Sequence, residues 1–434
     1  MVIIGFAEYG MGNMMSGVQV ECSRCGKRFS PERTLTVCTK CGGSLLFRYD
    51  TRRVASNITR NAVEARSDTF WKFTELLPLS SPRSIVSLGE PYTPILQLPK
   101  VGGTALQNVY VKDDGRLPTG TFKARGMAVA VSKLKELGVQ RIAIPSAGNA
   151  AAALAAYGAQ AGIDVYAFMP EDVSEFILKE CVYLGAKVYL VKGLIGQAGQ
   201  AVERLAPKHG WFSISTNKQP YRVEGYKAMA FEIAEQFSWD PPDSIIFPTG
   251  GGEGVIGLWK GFKELNELGW IQKTPRLIIV QSAGCAPIVK AFNDGESEVK
   301  EPWQKAETIA AGLRVPFPYA SYLIFRVLKE TNGMATAVED GRIISSMKNL
   351  FRKGIYACPE AASTLAALKK LEKQGVFDPN ETILLYLTGN AMKYFDLLET
   401  KKEQLPVLDP NANFSARSQI EILNETKKSQ TKPK

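Results

Sequence analysis

A single histidine, His209, stands in a chain of 434 residues, and that scarcity removes whole classes of chemistry. A centre built on several imidazoles is excluded, and a histidine-dependent triad would rest on that one residue. "APKHGWF" reads as a helix end, where a histidine sits favourably beside the last carbonyls. Proton transfer therefore falls to Lys, Asp, Glu, Tyr, Cys or a cofactor. Long apolar runs are also missing. The longest uncharged stretch, 142–163, is mostly Ala and Gly around a Pro and an Asn, and reads as a strand followed by a buried helix, so no span of the ~20 residues needed to cross a bilayer is expected. The first residues lack a basic start and a sustained apolar core, which argues against a secretory signal and makes a cytoplasmic protein the expectation. Acidic residues are outnumbered 43 to 53 by basic ones, for a net charge of +10. Part of that excess sits in the terminal "KKSQTKPK", a solvated tail, and the remainder suits small anionic substrates as well as nucleic acid. No internal repeat is evident.

Cysteine is scarce too, seven in all, but four fall in one pattern: Cys22, Cys25, Cys38 and Cys41, spaced C-x2-C-x12-C-x2-C with a glycine after each pair. Two disulfides or four free thiols are the competing readings. The isolation of Cys181, Cys285 and Cys358 in a chain with no secretory signal favours a metal, and four thiolates at this spacing match tetrahedral zinc. Such a closed site is structural, and residues 18–50 are expected to form a zinc ribbon. A nucleic-acid-binding ribbon would leave most of the chain without a role.

A polar, helical connector is expected over 51–83. Beyond it, short β-rich runs alternate with helical patterns: "RIAIPS", "VYAFMP", "AKVYLV", "SIIFP" and "LIIVQS" each precede a helix-like stretch, and "TILLYLT" follows near the end. This alternation predicts α/β architecture with parallel sheets covered by helices, and ligand sites at the carboxyl ends of the strands.

Three of those loops ask for one ligand. "PTGGGEG" (248–254) opens a helix with consecutive glycines, letting backbone N–H groups converge on an anion at a helix N-terminus; it is neither a P-loop nor a dinucleotide fingerprint. "PSAGNAAA" (145–152) places Ser146 and Asn149 at another helix start, suited to a carboxylate or a cofactor hydroxyl, or to a plain N-cap. "LPTGTFKARG" (117–126) puts Lys123 in the first turn of a third helix, beside Phe122 and Met127, where the dipole and partial burial depress its pKa. A lysine for an imine, a glycine cradle for a phosphate and no histidine for acid–base work point together to pyridoxal phosphate.

These segments resemble the fold-type II pyridoxal-phosphate enzymes, and among them the threonine synthase family, over about residues 85–395. The resemblance implies a tryptophan synthase β-like catalytic region over 84–404 built on two parallel sheets, with a smaller subdomain at about 122–190 inserted in the larger; composition makes 405–434 a polar basic tail, expected to be disordered. It implies that Lys123 carries the cofactor and moves protons, that Asn149 binds the ring hydroxyl, that Gly250, Gly251, Gly252 and Gly254 hold the phosphate, and that Thr388 in "LLYLTGNAMKY" faces the pyridine nitrogen. The substrate carboxylate would lie near Ser146. "STNKQPYRVEGYK" (215–227) resembles the family's substrate-phosphate segment, implying Arg222 for that phosphate with Ser215, Thr216 and Lys227 in support; the plain alternative for Arg222 is a salt bridge with a carboxylate such as Glu224. The implied reaction converts O-phospho-L-homoserine and water to L-threonine and phosphate, in a homodimer that binds neither nucleic acid nor membrane. A threonine or serine ammonia-lyase of the same fold, which needs no second phosphate site, and a zinc-ribbon binding protein are the rivals. Ala124, Ala150 and Glu253 depart from the common family pattern, and the carboxylate of Glu253 is expected to point away from the cofactor.

Overall fold

Apolar runs punctuated by glycine and proline form two parallel sheets and an antiparallel ribbon in the computed structural model, which describes Met15 and residues 17–98 and 106–398. The expected tail over 405–434 lies outside the described residues. One compact unit covers Met1–Lys393, and the residues from Tyr394 onward form another. The ribbon is β1 (Gln19–Cys22), β2 (Arg28–Phe29) and β3 (Leu45–Arg48), ordered β2-β1-β3. Val20 and Cys22 pair with Phe47 and Leu45 on one buried face, and Leu46, opposite Glu21 on the other face, is buried as well.

The connector matches expectation only in its first half. Asp50 caps α1 (Thr51–Asn57) through the Arg53 N–H, and Thr59 caps α2 (Arg60–Glu64) through the Ala62 N–H. The stretch that follows is core, not linker: Phe70, Trp71, Phe73 and Leu76 are buried, with the Phe73 ring 5.2 Å from that of Phe231. Aromatic side chains of this size contribute too much buried area to remain on a solvated linker.

The remaining strands are β4 (Ile95–Gln97), β5 (Val109–Asp113), β6 (Arg141–Pro145), β7 (Asp164–Pro170), β8 (Lys187–Val191), β9 (Phe212–Ser213), β10 (Ser244–Pro248), β11 (Arg276–Ser282), β12 (Met334–Val338) and β13 (Ile383–Leu387). Helices α3 (Lys123–Glu136), α4 (Asn149–Ala161), α5 (Glu175–Tyr183), α6 (Ile195–His209), α7 (Tyr221–Gln236), α8 (Glu253–Glu267), α9 (Pro287–Asn293), α10 (Ser321–Glu330), α11 (Asp340–Phe351) and α12 (Pro359–Lys373) connect them. The larger sheet runs β12-β11-β10-β13-β5-β4, parallel except for the edge strand β4; the smaller runs β8-β7-β6-β9, wholly parallel. The smaller sheet continues to Ser213, past the expected limit near 190, because β9 returns to pair with β6.

Every strand anticipated from an apolar run is present, but β5 was hidden by its own charges. Lys112 is fully buried in that strand, its ammonium donating to Glu232 at 2.6 Å, Thr93 O at 2.8 Å and Gln236 at 2.9 Å. The same buried network holds Arg125, the third residue of α3, between Asp114 and Glu232 with contacts of 2.6 to 2.8 Å, and the Tyr386 hydroxyl donates to Asp114 at 2.5 Å. It ties the start of α3 to β5, β13 and α7. Breaking one partner of such a network leaves an uncompensated buried charge, so the helix start is held rigidly. His209 ends α6 as expected, its ring 4.7 Å from that of Trp211. Among the described residues no helix is long and apolar enough to cross a membrane.

Candidate active site

Because β10, β13 and β5 are neighbours in one sheet, the loops leaving their carboxyl ends are neighbours too. They carry the glycine run, Thr388 and the approach to Lys123. The Phe122 N–H donates to the Thr388 carbonyl at 2.8 Å, and Thr121 bridges Gly389, so the loop into α3 is stitched to the end of β13. Gly254 permits the next contact: a Cβ there would stand 2.8 Å from the Phe122 ring and 2.7 Å from that of Phe247.

Lys123 is the first residue of α3 and half-buried. Its ammonium lies 4.2 Å from the centre of the Phe122 ring and 5.8 Å from that of Tyr226. Burial first, then the positive charge of Arg222, pulls its pKa down to about 8 against the opposing pull of Glu253 and Glu360. Among the described residues its ammonium has no hydrogen-bond or ion-pair partner.

The glycine loop ends at Gly252, which takes φ +81° as the N-cap of α8. A Cβ at Gly252 would meet Ile324 at 2.2 Å, and one at Gly250 the Gly312 carbonyl at 2.3 Å, so glycine is required by packing as well as by backbone conformation. Among the described residues, nothing accepts the backbone N–H groups of residues 250–255. Successive unsatisfied donors at the mouth of a long helix are what a phosphate requires.

Ser146 and Asn149 stand at the corresponding place on the smaller sheet. Gly148, with φ +157°, is the N-cap of α4, Asn149 is the first helical residue, and the Ser146 hydroxyl accepts the N–H groups of Gly148 at 3.1 Å and Ala151 at 3.2 Å. The Ser146 hydroxyl thus orders the first turn of α4 from two residues ahead of its N-cap.

Arg222 is buried, and its partner is Glu253 at 2.6 Å, not Glu224. The Glu253 carboxylate is taken up by the segment ahead of α7: it also accepts from the Asn217 N–H at 3.1 Å and the Gln219 amide at 2.9 Å. The Arg222 guanidinium donates further to Ile214 O at 3.1 Å, while its Nε is buried without an acceptor. Ser215 pairs with Ser213, and Thr216 lies against the glycine loop, 2.9 Å from a Cβ built on Gly251. Lys227 is elsewhere. Its ammonium is fully buried between Glu224 at 2.7 Å and Glu264 at 2.8 Å, in a cluster completed by Lys260 and the Tyr49 hydroxyl.

Three residues that sequence reasoning left unassigned complete the site. Asn217, with φ +57°, donates its amide to Gly251 O at 2.7 Å; Gln219 orders the first turn of α7 and Glu253; and Glu360 accepts the Gly312 N–H at 2.7 Å. A buried Glu in the first turn of a helix that begins with proline, "CPEAAS", looks like an ordinary helix start, and nothing local distinguishes it.

In the ribbon, the Sγ atoms of Cys22, Cys25, Cys38 and Cys41 lie within 4.8 Å of one another, with Cys22–Cys41 at 3.5 Å and Cys25–Cys38 at 3.6 Å. Sulfurs about 3.8 Å apart are what tetrahedral zinc–thiolate bonding demands, so the donor set fits.

A model of the family described as pyridoxal-phosphate dependent enzyme matches residues 86–389. Threonine synthase of Methanocaldococcus jannaschii is 36% identical over 377 residues, covering 86% of this chain and 92% of that protein. Threonine synthase of Methanosarcina acetivorans is 33% identical over 395 residues, covering 90% and 96%. Among solved structures, serine racemase of maize superposes with a TM-score of 0.62 at 20% identity over 70% of this chain and 90% of that one. Threonine deaminase isoform 2 of Solanum lycopersicum gives 0.61 at 20% over 73% and 88%; at such identity these two carry the fold alone.

Proposed function

The chain belongs to the pyridoxal-phosphate dependent enzymes and, within them, to the threonine synthases, and from that premise we propose that it converts O-phospho-L-homoserine and water to L-threonine and phosphate with Lys123 as the proton-moving residue. The observation that carries this reading is the conjunction of Lys123, half-buried at the start of α3, with a row of unsatisfied amides at residues 250–255, in loops that leave the same end of one sheet on either side of β13.

When bound, the cofactor supplies an electron sink that makes protons on the substrate's carbons removable. Lys123 would hold its aldehyde carbon and the amides at Gly250, Gly251, Gly252 and Gly254 its phosphate, with Asn149 at the ring hydroxyl and Thr388 at the ring nitrogen. The start of α4, ordered by Ser146, would receive the substrate carboxylate. Once released, the Lys123 amine takes and returns protons: a group near pKa 8 exchanges them at neutral pH far more readily than an ordinary lysine. Arg222 is the proposed partner of the substrate phosphate, its unsatisfied Nε aimed by Glu253 and Ile214, with Ser215 and Thr216 beside it. Lys227, neutralised by two carboxylates, is left out of that set. Zinc is the proposed occupant of the four-thiolate ribbon, in a structural role, and a cytoplasmic setting suits those thiolates.

The test is product analysis on purified protein with pyridoxal phosphate. Phosphohomoserine should give threonine and phosphate in equal amounts. Formation of 2-oxobutanoate from threonine, with phosphohomoserine inert, would establish the ammonia-lyase reading in its place.

A further inference from the structure

The ribbon grips the segment that carries Arg222 at three points. The Ser44 hydroxyl, three residues beyond Cys41, donates to the Asn217 carbonyl at 2.7 Å in a fully buried contact. The Tyr221 hydroxyl accepts the Leu35 N–H at 2.8 Å and donates to Arg33 O at 3.2 Å. The Tyr49 hydroxyl donates to Glu224 at 2.8 Å. These contacts flank Arg222 on both sides along the chain, and the first of them ends on Asn217, which borders the glycine loop. Asn217 passes the first of them on, because its amide donates to Gly251 O at 2.7 Å and its N–H to Glu253 at 3.1 Å. At φ +57° Asn217 takes the left-handed conformation that asparagine adopts more readily than other side-chain residues, and the Ser44 hydroxyl fixes its carbonyl. The ribbon is in turn fastened to α10, where the Tyr322 hydroxyl accepts the Ser44 N–H at 2.9 Å and Arg326 donates to Ser23 O at 2.7 Å.

We propose that the ribbon is a positioning element of the active site: through Ser44, Tyr49 and the backbone of Arg33 and Leu35 that meets the Tyr221 hydroxyl, it sets the placement of Asn217, Gly251 and Arg222, and so the affinity for the substrate's phosphate. This rests on the assignment of Arg222 to that phosphate. The physical reason is that Pro220, the N-cap of α7, has no side chain to cap the helix, so its first turn depends on Gln219, whose amide oxygen accepts the Tyr221 and Arg222 N–H groups. Gln219 follows Asn217 by two residues, and the ribbon fixes Asn217 from outside through the Ser44 hydroxyl. A contiguous chain of buried hydrogen bonds transmits that order to the glycine loop.

The experiment uses the full-length holoenzyme bearing Ser44→Ala, Tyr49→Phe and Tyr221→Phe together, which removes three hydroxyls and leaves all four cysteines in place. KM and kcat for phosphohomoserine, the Kd for inorganic phosphate by calorimetry, and amide hydrogen exchange over 215–224 are compared with wild type. The expected result is a rise of about tenfold in KM and in the phosphate Kd, with kcat within about threefold, as for loss of binding interactions that hold ground and transition state alike. Exchange should quicken over 215–224 while β11 and β13 keep their protection. Should the triple variant not fold, Ser44→Ala alone carries the test, with Ser44→Thr restoring the wild-type values. KM and Kd unchanged in the variant, while Arg222→Ala raises both, would overturn the ribbon's role and leave the phosphate assignment standing. If Arg222→Ala also leaves both unchanged, the assignment of Arg222 falls and this inference with it.

Discussion

The pKa of Lys123 offers the sharpest quantitative test of the site. An amine must be neutral to attack an aldehyde, so the rate at which apoprotein captures pyridoxal phosphate follows the neutral fraction of Lys123. With a pKa of about 8 in place of the ordinary 10.5, that fraction at pH 7 is roughly one in eleven instead of roughly one in three thousand, a gain of about 300-fold. Stopped-flow absorbance of the lysine-bound cofactor should therefore show a capture rate that climbs about tenfold per pH unit below pH 7 and levels off just above 8. Burial is the largest cause, followed by Arg222, with Glu253 and Glu360 opposing, so the direction of each variant is fixed in advance. Glu360→Gln removes an opposing charge and should bring the plateau to lower pH; Arg222→Gln removes the assisting one and should move it higher. A rate still climbing through pH 10, or a plateau that moves up in Glu360→Gln, would refute this account of the lysine.

Further expectations concern the frame around the site. Gly252→Ala places a Cβ 2.2 Å from Ile324 at φ +81°, and should weaken cofactor affinity at least about tenfold while the ribbon keeps its metal, read by fluorescence titration and metal analysis. Burial opposes the charge of Glu232, yet Arg125 and Lys112 hold its pKa at about 2 from an ordinary 4.5, which corresponds to roughly 3 kcal/mol of stability. Because the folded value is the lower one, that contribution is complete above about pH 4.5 and fades as the pH falls through 2. Urea unfolding of Glu232→Gln should accordingly lie well below wild type at pH 7 and converge with it near pH 2. Metal analysis of anaerobically purified protein should find about one zinc per chain, and Cys22→Ser should lose it together with several degrees of melting temperature.

Much of the architecture was legible because apolar runs long enough to be strands recur between helical patterns, and a parallel sheet buried on both faces leaves that trace in the chain. Strand β5 is hidden in the sequence because Lys112 and Asp113 end it, and a buried ammonium is intelligible only beside Glu232, 120 residues away. The stretch at 70–76, expected as part of a polar connector, is core for a related reason: whether an aromatic cluster is covered depends on what folds back over it.

The candidate site divides along the same line. Glycine at 250–254, lysine at a helix start and paired cysteines declare themselves locally, since backbone freedom, desolvation and thiolate spacing are properties of a few adjacent residues. Whom a long charged side chain meets is not such a property. Arg222 was open between a phosphate and Glu224, and the fold gave it Glu253; Lys227, in the same short segment, was drawn to the opposite side of α7 by Glu224 and Glu264. The identity of the chemistry was thus determined by the sequence alone, while the partners of its charges, and the ribbon's hold on the helix that carries Arg222, were decided by tertiary structure, because ion pairs and buried hydrogen bonds form between groups that only the packed sheets bring within 3 Å of one another.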